Sequence, residues 1–144
     1  MKKSPNTSAI SAALQIIRPK WTLEIIHEAF YGCRQFEEFQ RNLGIARNLL
    51  SARLKYLQDH GIIKKVPARK NSKRKEYKLS NKGITFLPMM ITLHQWGEQW
   101  HHNSHAGVEI IDANTLSRLA PMVPRNQNGD EVGFHQIRII NRTD

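Results

Sequence analysis

Arg47, Asn48, Ser51, Ala52 and Lys55 interleave with Leu50, Leu54 and Leu57 in one stretch of this 144-residue chain. At helical spacing the leucines share one face and the polar set takes another. An arginine can pair bidentately with guanine and an asparagine with adenine, while a serine hydroxyl serves a base or a phosphate. Lys55, further along, suits the sugar-phosphate backbone. This is the chemistry of a helix that reads duplex DNA from its first two turns while its other face holds a core. Every amphipathic helix also has a solvated polar face, so the helix alone leaves both readings open.

The next twenty residues weigh on that choice. From Lys64 to Lys82 there are nine basic residues, among them Arg69, Lys70, Lys73, Arg74 and Lys75, against the single acid Glu76. Like charges at that density repel unless an anion compensates them, although a solvated charge run is the plainer alternative. The whole chain carries +10, and the excess is one-sided. Residues 1–83 hold 18 Lys and Arg against 6 Asp and Glu, whereas residues 84–144 hold 4 against 6. That asymmetry points to a polyanion, double-stranded DNA, meeting the first part of the chain.

The elements that must position these groups follow from periodicity. Ile10, Leu14 and Ile17 predict a helix over residues 8–18 that ends at Pro19, and a second runs from Thr22 to Phe30. Phe36, Phe39 and Leu43 predict a third over residues 35–43, and Gly44 separates it from the reader over residues 45–60. Two helices joined by a tight glycine turn make a helix-turn-helix. Ile62–Ala68 and Arg74–Leu79 read as strands around Asn71-Ser72, a hairpin wing. Ser80 is expected to cap a helix reaching about His102, with Pro88 early in it and Ile84, Leu87, Ile91, Leu93, Trp96 and Trp100 as a broad apolar surface. The expected class is mainly α with a small β-hairpin (α+β), as one domain over residues 8–102 and an extension over residues 103–144. In the extension, Val108–Ile111 is strand-like, Asn114–Leu119 suits a helical turn, and Asn128-Gly129 signals a second hairpin flanked by Met122-Val123 and Val132–Ile140.

Other chemistries are weaker. No run of 18 apolar residues exists, and Met1-Lys2-Lys3 leads into polar residues, so neither a membrane partner nor a leader is expected. The single Cys33 excludes an intrachain disulfide and fits a cytoplasmic chain. Arg34 beside it would favour a thiolate, but one arginine is slight ground, and an inert loop thiol is expected. His94, His101, His102 and His105 are the one metal-like cluster. A metal-dependent enzyme using His94, His101 and His105 is therefore one alternative, and a packaging protein that reads no sequence is another. The cluster lacks a cysteine or a paired glutamate motif, and no phosphate loop, nucleophile elbow or carboxylate pair occurs. No enzyme, metal or cofactor is expected. Trp96 and Trp100 can stack on a flat ligand or on bases, but serve better as an interface between subunits.

Several separated motifs carry a family likeness: Lys20-Trp21-Thr22, Arg34-Gln35-Phe36-x-Glu38-Phe39, Gly44-Ile45, Leu50-Ser51-x-Arg53-Leu54-x-x-Leu57, Gly61-Ile62-Ile63, Glu76-Tyr77-Lys78-Leu79-Ser80-x-x-Gly83, then Leu87-Pro88 and Trp96-Gly97. Over roughly residues 9–100 the chain resembles the HxlR-type winged helix-turn-helix transcriptional regulators. The resemblance implies a dimeric bacterial regulator with the helix from Ala46 as reader, the hairpin as wing and the terminal helices as dimer interface. Leu14, Trp21, Leu87, Ile91, Trp96 and Trp100 are the interface residues it suggests, the operator would be an inverted repeat, and a small-molecule effector is left unidentified. The chain departs from the family in three ways. It lacks the common cysteine near the amino terminus, has Ala46 where serine is usual, and has Pro19 where glycine is usual.

Overall fold

The computed structural model describes residues 8–101 and 107–140. In chain order the elements are α1 (Ala9–Ile17), α2 (Thr22–Phe30), α3 (Phe36–Leu43), α4 (Arg47–Asp59), β1 (Ile63–Pro67), β2 (Lys75–Leu79), α5 (Asn81–Ile84) and α6 (Leu87–Trp100), then a 3-10 turn at Phe134–Gln136. They divide into two compact units, residues 1–87 and residues 88–144.

The first unit is a helical layer closed by one antiparallel hairpin. Ile25, Ile26 and Ala29 of α2, Phe39 of α3, and Leu50, Leu54 and Leu57 of α4 form its core with Ile62, Ile63 and Tyr77. Fully burying a side chain such as Phe39 or Leu54 contributes about 1.5–3 kcal/mol. Gly44 makes the α3–α4 turn at φ +62°, and its N–H donates to the Gln40 carbonyl at 2.9 Å. A side chain is strained at that φ, so the glycine sets how α4 leaves α3. The hairpin pairs Ile63 with Leu79 through to Pro67 with Lys75. It is fixed to the helices where the Tyr77 N–H donates to the Arg34 carbonyl at 2.8 Å, and where the Tyr77 ring meets Phe39 edge-on at 6.4 Å. Tyr56 Oη donates to the Ile16 carbonyl at 3.0 Å and Arg53 Nε to the Lys20 carbonyl at 2.8 Å, holding α4 against the end of α1 and the turn after it. α1 itself buries none of its residues, and its Ile10 is 73% exposed.

Where one helix from Ser80 to about His102 is expected, the structure has two, separated at Thr85-Phe86. Pro88 explains the break. It cannot donate to the carbonyl of Ile84, and its ring would strike that carbonyl. α6 therefore starts anew, with Pro88 in its first turn, where no N–H is needed.

In the second unit the extension is held by side chains more than by strands. Gln95 of α6 donates from Nε2 to the Ala120 carbonyl at 3.0 Å, and its Oε1 accepts from the Met122 N–H at 2.8 Å. Arg118 pairs with Glu98 at 2.8 Å and with Glu109 at 3.5 Å. These bonds tie α6 to the extension, so the compact units part at Leu87/Pro88, not at residue 102. The expected Val108–Ile111 strand and the Asn114–Leu119 helical turn are instead a turn closed by the single bridge Ile111–Arg118. The expected second hairpin is likewise reduced to one bridge, Arg125–Glu131, around a turn in which Asn126 Oδ1 accepts from the N–H groups of Asn128 and Asp130. Phe134–Gln136 coils where a returning strand was expected. Among the described residues no helix is long and apolar enough to cross a membrane.

Candidate nucleic-acid interface

α4 divides as its spacing requires. Leu50, Leu54 and Leu57 are buried, and Arg47, Asn48, Ser51, Ala52 and Lys55 are all exposed. Ala46 takes the extended N-cap conformation but offers no side-chain acceptor to the first turn. Free N–H groups at a helix start favour an anion. Asn48 Oδ1 accepts from the Leu49 N–H at 3.0 Å, a bond that a base edge would have to replace. Lys55 is paired with Asp59 one turn on.

Arg47 is held by two residues that the sequence pattern did not single out. Its guanidinium sits 4.7 Å over the Phe36 ring and 4.0 Å from Glu37 Oε1, both at the start of α3. The arginine and the glutamate are 68% exposed, so the ion pair is weak, while the ring contact adds a fixed surface beneath the guanidinium.

Arg69, Lys70, Lys73, Arg74 and Lys75 are exposed around the hairpin tip. The tip turns at Asn71, φ +61°, where the Ser72 N–H donates to the Arg69 carbonyl at 3.0 Å. Asparagine tolerates the left-handed region better than most residues, which fits the turn reading of Asn71-Ser72. Arg74 stands apart from the other four, because its guanidinium donates to Gln35 Oε1 at the start of α3. Glu38 organises the same corner by accepting from the N–H groups of Arg34 and Gln35, each at 3.0 Å. Those two backbone bonds, with smaller help from Arg41 and Arg74, hold its carboxyl below the usual glutamate value.

Cys33 is buried beneath this corner, and its thiol is pushed up to about 12, first by burial and then by Glu38 and Glu28. Arg34 lowers it by less, and its Nη1 is spent on the carbonyls of Ala29 and Cys33 at 2.8 and 2.9 Å. An inert thiol is what this geometry makes.

Of the histidine cluster, His94 Nε2 lies 3.5 Å from Glu98 Oε1, and the His101 ring is 5.3 Å from that of Trp96. His102 and His105 lie outside the described residues. Among the described residues no group of three or more His, Cys, Asp or Glu can hold a metal. Of the interface residues suggested above, Leu14, Leu87, Trp96 and Trp100 are exposed. Ile91 is already buried in the chain and Trp21 packs against the core of the first unit.

A family model described as HxlR-like helix-turn-helix matches residues 16–105, well over half of the chain. The chain belongs to the HxlR-like helix-turn-helix family. It is similar to an uncharacterized HTH-type transcriptional regulator of Mycobacterium tuberculosis, at 38% identity over 78% of this chain and 86% of the relative. The crystal structure of PA1607, described as a candidate transcription factor, matches with a TM-score of 0.83 at 28% identity, over 96% of this chain and 97% of that one. A MarR-family regulator from Enterococcus faecalis matches with a TM-score of 0.58 at 27% identity, over 72% of this chain and 94% of that one. This HxlR-like chain is thus a transcriptional regulator with a winged helix-turn-helix fold, for which DNA binding is implied.

Proposed function

We propose that this HxlR-like regulator binds a specific duplex DNA site as a homodimer, each subunit placing α4 in a major groove and its wing along the adjacent backbone. Arg47 and Asn48 read base edges, Ser51 and Ala52 meet bases or the thymine methyl, and Lys55 meets phosphate. Arg69, Lys70, Lys73, Arg74 and Lys75 then serve the backbone, with Arg74 exchanging its bond to Gln35. The observation that carries the reading is the division of α4, with three leucines buried and the five polar or small residues exposed, in the same compact unit as the cationic hairpin. A second subunit is supported by α1, a helix with no buried residue, and by the exposed Leu87 and Trp100 of α6. A twofold protein reads an inverted repeat, with half-sites about 34 Å apart or a multiple of that.

Selection of bound sequences from a random DNA pool tests this, together with the mass of the protein in solution. A palindromic consensus and a dimeric mass are expected. Asn48→Ala then relaxes base preference, whereas Lys73→Ala weakens binding to every sequence and flattens the salt dependence by about 0.9 in log-log slope for each lost phosphate contact. A pool that enriches no sequence, or equal losses on specific and random DNA in both variants, overturns the assigned roles.

A further inference from the structure

We propose that the second unit contains a binding site for a neutral, planar, largely apolar small molecule, in the cleft between α6 and residues 110–134. The cleft encloses about 520 Å³, within the usual range for small-molecule sites. Trp96, Ile110, Leu119, Met122, Val123 and Phe134 supply its apolar walls. Trp96 is 54% exposed and Phe134 79% exposed, so the chain leaves two aromatic residues of one cleft largely uncovered.

The walls are fixed without a ligand. Gln95 uses both ends of its amide on the backbone of Ala120 and Met122, and Arg118 bridges Glu98 and Glu109. The same bonds define what can enter. The charged groups lining the cleft, Glu98 and Arg118, already neutralise each other, so an ionic ligand would have to break that pair or remain uncompensated. A planar ring system loses nothing polar and gains stacking on Trp96 and Phe134. His94 Nε2 is buried 3.5 Å from Glu98 Oε1, so it offers an incoming ligand no open hydrogen-bonding group. The site does not depend on the DNA-binding proposal, and its test is read without DNA.

The full chain is titrated with N-phenyl-naphthylamine, a neutral dye, and in parallel with anilinonaphthalene sulfonate, which carries the same rings and a charge. The neutral dye is expected to bind at one saturable site per chain and the sulfonate about tenfold more weakly. Trp96→Leu should weaken the neutral dye about tenfold. Val123→Trp, which fills the cleft, should abolish its binding, while Ile139→Ser, at an exposed residue outside the cleft, should change nothing. Circular dichroism and melting establish that each variant is folded. No saturable binding, equal affinity for the sulfonate, full binding by folded Val123→Trp, or loss confined to Ile139→Ser would each overturn the proposal.

Discussion

The guanidinium of Arg47, the first residue of α4, rests 4.7 Å over the ring of Phe36, the first residue of α3. A side chain with that many rotamers loses entropy when it docks on a base, and a ring beneath it means part of that loss has already been taken on folding. Phe36→Leu keeps the apolar volume that packs on the core but removes the aromatic face. The expected result is a preference for guanine at one position of the selected site reduced by about fivefold, with binding to random DNA unchanged. Phe36→Tyr should retain the preference. If Phe36→Leu discriminates as well as the parent, the ring does not position Arg47.

How far the sequence discloses this site depends on the range of each interaction. The leucine spacing of α4 and the position of Gly44 are local patterns with a period of 3.6 residues, and both are realised. The bond from Arg74 to Gln35 joins residues 39 apart and has no sequence signature; without it all five wing cations would look equally free. The grip of Phe36 and Glu37 on Arg47 is hidden for the same reason, since it depends on how Gly44 sets two helices. The α5–α6 break was legible in principle, because Pro88 acts on the turn before it. The extension defeats periodicity altogether, since Gln95 and Arg118 hold it by single side-chain bonds.

Ala46 precedes α4 with φ −62° and ψ 140°, a backbone suited to a capping residue, yet it has no side-chain acceptor. Ala46→Ser supplies an N-cap acceptor for the first turn, where the Leu49 N–H already donates to Asn48 Oδ1. The variant should gain about 1 kcal/mol, read as a melting temperature higher by about 4 °C. An unchanged melting curve would mean that the first turn is satisfied in another way.

Gly83 in α5 stands against the Ile62 carbonyl so closely that an added Cβ would lie 2.3 Å from its oxygen and 3.1 Å from Leu79 Cδ2. That oxygen also accepts from the Ser80 N–H at 2.9 Å, so it cannot retreat without losing the bond. Gly83→Ala should destabilise the first unit by about 1–3 kcal/mol in denaturant titration. A midpoint equal to that of the parent would show that α5 shifts freely.

Glu38 is held below its ordinary value of 4.5 by the N–H groups of Arg34 and Gln35. A depressed carboxyl contributes stability that is fully present above its unfolded value and is lost as pH falls through the folded one. Glu38→Gln should therefore melt lower than the parent at pH 7, and the gap should close as the pH drops below 4.5. A gap that stays constant from pH 7 to pH 3 would assign the loss to packing and not to charge.

Cys33 tests the same corner from beneath. Its thiol is raised from an ordinary 9.0 to about 12, with burial as the main cause. At pH 8 the thiolate would be about one part in ten thousand, and alkylation requires the thiolate. Iodoacetamide should therefore label the folded protein about a thousandfold more slowly than the chain in guanidinium, where the thiol titrates normally. The linkage runs opposite to that of Glu38. Folding favours the neutral thiol, so its contribution is complete below pH 9 and declines between pH 9 and about 12 as the unfolded chain ionises first. Cys33→Ala should remove that decline while leaving other alkaline losses in place. Rapid labelling of the native protein at pH 8 would mean that the thiol is reached and charged despite the α2–α3 corner, and the inert assignment would fail with it.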